Sequence, residues 1–140
     1  MTRHLLDTSI LSDLIRNPQG PIERRIRTVG ENLICTSIVV AAELRYGATK
    51  RGSKQLTAQV EAVLDAMEIA PIETPTDHVY GKSRADLETA GTPIGGNDLL
   101  IAAQAVALGV TVVTDKVSEF ERIEGLAGEN WLDERRDSKA

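Results

Sequence analysis

The chain has 140 residues, of which 41% are hydrophobic and 26% are charged, a composition typical of one folded globular domain and unlike that of disordered or fibrous chains. Its formal net charge of −5 argues against a basic surface that binds polyanions without specificity. The single cysteine, an N-terminal segment without the apolar region of a signal peptide, and the lack of an apolar run long enough to span a bilayer together predict a cytoplasmic protein.

The first half of the chain predicts two units in which a short buried strand is followed by two helices. Thr8 or Ser9 is suited to cap the first helix, Ser37 is suited to cap the third helix, and Gly47 is suited to end it. The predicted elements are a strand around 5–6, helices over 10–16 and 21–29, a strand over 32–36, and helices over 38–46 and 53–66.

The second half continues the alternation of strands and helices. Pro71 places the next predicted strand near the edge of a sheet. The predicted elements are a strand over 69–72, helices over 77–90 and about 97–108, a strand over 110–113, a helical turn near 119–123, and a short strand or hook at 129–132.

The order β-α-α-β-α-α-β-α-α-β predicts an α/β fold with one domain over 1–132. Its central sheet is expected to be mostly parallel, to have four to five strands, and to carry helices on both faces as an α/β/α sandwich. Residues 133–140 are polar and are predicted to form a C-terminal tail.

Four carboxylates lie on or beside apolar segments, where an unpaired charge is costly. Asp7 and Asp115 each follow a predicted strand, and ligands of open α/β sheets bind at the carboxyl ends of strands. Glu43 lies on a helix that is apolar on nearly every face, and Asp98 is the only charge on its predicted helix. Pairing of Glu43 with an arginine and helix capping by Asp98 are the structural explanations that compete with a functional one.

Carboxylates without a paired histidine or cysteine favour a hard divalent cation, Mg²⁺ or Mn²⁺, over a structural zinc ion. Such cations activate water and stabilise a phosphoryl group during in-line displacement. The glycines before Asp98 match neither the P-loop nor the dinucleotide-binding pattern. The acidic pattern therefore favours metal-dependent phosphodiester hydrolysis.

Four segments carry these acids in a recognisable order. They are LLDTSILS at 5–12, AAELRYG at 41–47, PIGGNDLLIA at 93–102 and VVTDKVSEF at 112–120. Together they resemble the motifs of PIN-domain ribonucleases of the VapC type, the toxins of type II (VapBC) toxin–antitoxin systems. The resemblance extends through residue 132 and thus covers nearly the whole chain.

The resemblance implies an endoribonuclease that depends on Mg²⁺ or Mn²⁺, cleaves RNA phosphodiester bonds, forms a homodimer and is neutralised by a cognate VapB-type antitoxin. It also implies that Thr8 and Ser9 support the site by orienting a carboxylate or a bound water. The residues that it assigns to catalysis and metal binding are Asp7, Glu43, Asp98 and Asp115.

Lys116 departs from the family pattern, because many members have asparagine in the segment 114–116. The side chain can bridge carboxylates in the metal-free state, contact a substrate phosphate, or lie on the surface without a role in the site.

Two other hypotheses remain open from the residues. In the first, an α/β phosphotransfer or phosphatase-like domain uses Asp7 as the phosphoacceptor, although Ser9 stands where such enzymes have a second aspartate. In the second, a non-catalytic interaction module uses its acids to receive an arginine of a partner.

Overall fold

A computed structural model describes residues 2–132, so the predicted tail at 133–140 lies outside the described residues. The strands are short, with two to four residues each. They are β1 (His4–Leu6), β2 (Ile34–Ser37), β3 (Glu68–Ala70), β4 (Thr111–Val113) and β5 (Gly128–Glu129).

Within residues 2–132, seven α-helices accompany the strands, together with a 3-10 turn at Glu31–Leu33. The helices are α1 (Thr8–Arg16), α2 (Pro21–Val29), α3 (Ile38–Arg51), α4 (Lys54–Asp65), α5 (Thr76–Thr89), α6 (Gly96–Leu108) and α7 (Val117–Phe120). None of the helices in the described part of the chain is long and apolar enough to cross a membrane.

The five strands form one parallel sheet in the order β3-β2-β1-β4-β5. The predicted α/β fold with a sheet of four to five strands is confirmed, and β3 lies at the predicted edge. Strand β1 is the point at which the chain order reverses, because β2 and β3 lie on one side of it and β4 and β5 on the other. In open α/β sheets this switch point is where a crevice for ligands forms.

Both faces of the sheet are covered by helices. Leu5 and Leu6 are neighbours on β1 and therefore point to opposite faces, yet both are fully buried. Val112 and Val113 on β4 are buried in the same way. The buried strands are therefore continuously apolar, as in other parallel sheets that carry helices on both sides.

Two predicted helix boundaries are wrong. Helix α1 begins at Thr8, and its N-cap is Asp7, whose carboxylate accepts a hydrogen bond from the Thr8 N–H. Neither Thr8 nor Ser9 is therefore the cap. Helix α3 continues past Gly47 and ends at Gly52, whose φ of 65° is left-handed. The burial of Ala48 in the added turn offsets the cost of a glycine inside the helix.

Candidate active site

Asp7 lies at the centre of the site, where β1 ends at the switch point of the sheet. Its backbone N–H donates to the Val113 carbonyl at 2.9 Å, which fixes the end of β1 against β4. The residue is only 2% exposed. Oδ1 accepts the Thr8 N–H at 2.7 Å and Oδ2 accepts the Thr114 hydroxyl at 2.8 Å, so both carboxylate oxygens are held in position.

Burial raises the pKa of the Asp7 carboxyl above its ordinary value of 3.8, because the charged form loses hydration. The hydrogen bonds from Thr114 and Thr8 oppose this rise, since they favour the carboxylate. Two nearby charges also act on Asp7: Asp98 raises its pKa and Lys116 lowers it. Asp7 is therefore a carboxyl group that gains from a cation beside it.

Glu43 is brought to the same edge of the sheet by helix α3, which follows β2. Its Oε1 accepts the Thr8 hydroxyl at 2.6 Å, and its Oε2 lies 3.5 Å from the Asn97 side-chain amide nitrogen, which donates to it. Arg45 on the same helix pairs with Glu61 at 2.9 Å. Among the described residues, a hydroxyl and an amide thus hold Glu43, and Thr8 links it directly to Asp7.

Asp98 lies in the first turn of α6, and its side chain is 18% exposed. The N-cap position of this helix is occupied by Gly95 and not by Asp98. Its Oδ2 instead accepts from the ammonium of Lys116 at 3.1 Å. The carboxylate still gains from the dipole of α6, but its direct partner is a cation from the loop after β4.

Lys116 carries that cation into the acidic site. Its pKa is raised chiefly by the hydrogen bond to Asp98, while partial burial opposes the rise. The charges of Asp98, Asp7 and Asp115 raise it further. One ammonium group therefore lies within electrostatic reach of three of the four predicted acids.

Asp115 is the least enclosed of the predicted acids, since the residue is exposed to solvent. Its backbone N–H lies 3.4 Å from the Ser9 hydroxyl oxygen, to which it donates. This contact attaches the loop after β4 to the first turn of α1, and it gives Ser9 a structural role at the site.

Sequence reasoning did not select Thr114 or Asn97 as site residues, although each contacts one of the acids. Thr114 is fully buried, and its hydroxyl both donates to Asp7 and accepts the Lys116 N–H at 3.1 Å. A polar residue at the carboxyl end of a buried strand was the available signal. Thr114 follows two buried valines, just as Asp7 follows two buried leucines.

Within residues 2–132, no three Asp, Glu, His or Cys side chains already lie close enough together to hold one metal ion. The chemistry of the available donors nevertheless fits a hard divalent cation. Asp7, Glu43 and Asp98 supply carboxylate oxygens, and the ammonium of Lys116 already places positive charge among them.

The sequence and the fold match one known class of proteins. The sequence profile of the PIN domain matches residues 4–126. The chain therefore belongs to the PIN-domain family, as its motifs predicted.

Relatives within this family carry the name VapC. Ribonuclease VapC2 of Rickettsia felis is 37% identical over 130 residues, which cover 91% of this chain and 97% of that protein. The tRNA(fMet)-specific endonuclease VapC of Salmonella typhimurium is 34% identical over 132 residues, which cover 94% of this chain and 99% of that protein.

The fold is similar to that of solved VapBC complexes. The structure of VapBC2 from Rickettsia felis bound to a DNA fragment from its promoter contains a chain that superposes with a TM-score of 0.85 at 34% identity. The match covers 93% of this chain and 99% of that one. The predicted resemblance to VapC-type PIN domains is thus confirmed in sequence and in fold.

Proposed function

We propose that this chain is an Mg²⁺- or Mn²⁺-dependent endoribonuclease that hydrolyses RNA phosphodiester bonds and acts as the toxin of a toxin–antitoxin pair. The observation that carries the proposal is the placement of Asp7, a buried carboxylate held by two hydrogen bonds at the switch point of a parallel sheet, beside Asp98 and a cation. A group held in this way is prepared for a ligand, because its burial raises the cost of leaving it uncompensated.

RNA is the proposed substrate because the relatives are named ribonuclease and tRNA(fMet)-specific endonuclease and match this chain along almost its full length. The acidic composition is compatible with that substrate, since a bound divalent cation offsets the negative charge of the site where the phosphate must approach.

Asp7, Glu43 and Asp98 are proposed to hold the cation, and Asp115 to assist from the exposed side of the site. A divalent cation bound there supplies Lewis-acid activation of water and neutralises charge on the phosphoryl group. Because Asp7 and Glu43 share Thr8 as a hydrogen-bond donor, movement of one carboxylate is coupled to the other.

The other polar side chains of the site are proposed to hold these carboxylates in place and to position the RNA. Thr8 and Thr114 keep the carboxylates of Glu43 and Asp7 from rotating away, because each donates a hydroxyl hydrogen to one of them. Ser9 holds the loop that carries Asp115. Lysine and arginine side chains near the crevice are proposed to position phosphates of the RNA.

The proposal includes a cognate VapB-type antitoxin as inhibitor, a homodimeric assembly and a cytoplasmic location. Its support is the similarity to chains from VapBC complexes of Rickettsia felis and Salmonella typhimurium, with TM-scores of 0.85 and 0.83. A toxin of this kind requires an inhibitor in the compartment where its RNA substrate is present.

The decisive experiment is digestion of total RNA by the purified wild-type protein and by Asp7→Ala and Asp7→Asn, with Mn²⁺, with Mg²⁺ and with EDTA. We expect cleavage by the wild type with either metal, none with EDTA, and a loss of at least about 100-fold in both variants. Asn keeps the shape of the side chain, so its failure would be one of charge and not of folding.

Asp77→Asn is the matched control, because Asp77 is an exposed aspartate in the first turn of α5. It should cleave at the wild-type rate. Equal cleavage by wild type and Asp7→Ala would overturn the proposal, and trapping of beryllofluoride on Asp7 would instead support phosphotransfer.

A further inference from the structure

Lys116 places its own cation where the proposed function requires a metal ion. Its Nζ lies 3.1 Å from Oδ2 of Asp98, and its charge also acts on Asp7 and Asp115. Asp98 and Asp7 are both proposed to bind the metal. A divalent ion and the Lys116 ammonium therefore compete for the same carboxylates.

The backbone of Lys116 is anchored at this position. Its N–H donates to the Thr114 hydroxyl oxygen at 3.1 Å, and that hydroxyl donates to Asp7. Its carbonyl accepts from the N–H groups of Glu119 and Phe120 at 3.0 and 3.2 Å, and Phe120 is fully buried. The origin of the side chain is thus fixed, so its ammonium is delivered to the acids by the fold.

The Lys116 side chain is exposed enough to move away from Asp98. It is 47% exposed, whereas that of its partner Asp98 is 18% exposed. An exposed ion pair of this kind contributes little to the stability of the fold, so its release disturbs no packed group. The mobile end of Lys116 and the enclosed carboxylate form a contact that can open without unfolding.

We infer that Lys116 is an internal competitor of the divalent cation, which neutralises the acidic site in the metal-free protein and must leave Asp98 before the metal binds. This inference rests on the proposed metal-dependent function. Lys116 thereby raises the metal concentration that the protein needs, first because its ion pair must break and second because its charge repels a cation nearby.

The test is a titration of the metal-free protein with MnCl₂ at low ionic strength, followed by isothermal titration calorimetry, for wild type, Lys116→Gln and Lys116→Arg. Gln removes the charge and keeps a polar side chain of similar length. We expect the Kd for Mn²⁺ to fall about fivefold in Lys116→Gln, the factor expected for loss of one partly exposed ion pair. Lys116→Arg keeps the charge and should bind Mn²⁺ no more tightly than the wild type.

Lys82→Gln is the matched control, because Lys82 is also ion-paired, at 2.8 Å from Asp86, but lies on α5 and contacts none of the four acids. Its Kd for Mn²⁺ should equal that of the wild type. Thermal unfolding checks that every variant is folded, and the rise in Tm on adding MnCl₂ should be larger for Lys116→Gln than for the wild type.

The outcomes separate the two proposals. If the wild type binds Mn²⁺ and Lys116→Gln binds it with equal or lower affinity, Lys116 is not a competitor, while the metal-dependent function stands. A Lys116→Arg variant that binds as tightly as Lys116→Gln would also overturn the inference. If no variant binds Mn²⁺, both proposals fail.

Discussion

The Thr114 hydroxyl donates to Oδ2 of Asp7 at 2.8 Å and thereby ties the end of β4 to the end of β1. The two residues are 107 positions apart in sequence, and both are buried. The same hydroxyl oxygen accepts the N–H of Lys116, so one side chain sets the orientation of the central carboxylate and the path of the loop beside it. Replacement of Thr114 should therefore affect both stability and catalysis.

Thr114→Val is expected to lower the free energy of unfolding by about 1.5–3 kcal/mol, because a buried hydrogen bond to a charged group is lost while the volume is kept. RNA cleavage should fall about tenfold, since Asp7 is then held by the Thr8 N–H alone. Urea denaturation and an RNA digestion assay measure the two effects. Thr114→Ser retains the hydroxyl and should recover most of both, and a Thr114→Val variant with wild-type stability and cleavage would show that the hydrogen bond to Asp7 is not needed.

The raised pKa of Asp7 predicts a conflict between stability and function at this position. Folding raises the pKa of the Asp7 carboxyl, so the stabilisation that Asp7 provides is complete at low pH and is lost as the pH rises through its folded pKa. At neutral pH the buried charge is a cost. Asp7→Asn has no such charge. Its Oδ1 can still accept the Thr8 N–H as an N-cap, and its amide nitrogen can donate to the Thr114 hydroxyl oxygen in place of the hydrogen bond that the carboxylate accepts.

Without metal, Asp7→Asn should be more stable than the wild type by about 1 kcal/mol at pH 7.5, or roughly 3 °C in Tm. The advantage should shrink as the pH falls toward the ordinary carboxyl pKa of 3.8, because the wild-type residue then becomes neutral as well. Thermal scans in EDTA from pH 4 to pH 8 measure this trend. A Tm difference that does not change with pH would contradict it.

Thr8 contacts Asp7 through its backbone and Glu43 through its side chain, so a side-chain substitution can remove one contact and keep the other. Its backbone N–H binds Asp7 and its hydroxyl binds Glu43 at 2.6 Å. Thr8→Val removes only the second contact, so metal-dependent cleavage should fall about tenfold as Glu43 loses its orientation. Thr8→Ser should cleave at nearly the wild-type rate, and if Thr8→Val does so too, Glu43 does not need this hydroxyl.

Much of this site follows from the sequence because parallel strands end at one edge of a sheet. Once residues 5–6 and 110–113 are predicted as buried parallel strands, Asp7 and Asp115 are expected at the same edge of the sheet, and the structure shows that β1 and β4 are neighbours there. Glu43 and Asp98 stand out because each carries charge on an apolar helix. Chain order and hydrophobic pattern are therefore enough to predict which edge of the sheet carries the acidic side chains.

The contacts among these acids could not be predicted in the same way. The Lys116–Asp98 ion pair and the Thr114–Asp7 hydrogen bond join different elements, and their geometry depends on how α6 and the loop after β4 pack on the sheet. Sequence separation contains no information about those distances. Sequence reasoning consequently left three roles open for Lys116 and did not select Thr114.

The end of helix α3 is also predicted wrongly from the sequence. Glycine often ends a helix, but it is also tolerated inside one. Gly47 is predicted to end α3, yet it lies within the helix, and a Cβ added there would meet nothing within 4 Å beyond the neighbouring residues and backbone of its own helix. Gly52 is the true C-cap, with φ of 65°. Only the backbone conformation distinguishes these two glycines, so the same substitution at each should have opposite effects.

Gly47→Ala should stabilise the protein by about 0.5–1 kcal/mol, because alanine lowers the conformational entropy of the unfolded chain and fits the helix without a clash. Gly52→Ala should destabilise it by about 1–2 kcal/mol, since the left-handed conformation brings a Cβ close to the following carbonyl oxygen. Urea denaturation of both variants at one protein concentration measures the pair. If alanine destabilises at Gly47 as much as at Gly52, then α3 is interrupted near residue 47 in solution, and the C-terminal turn of this helix does not form as described.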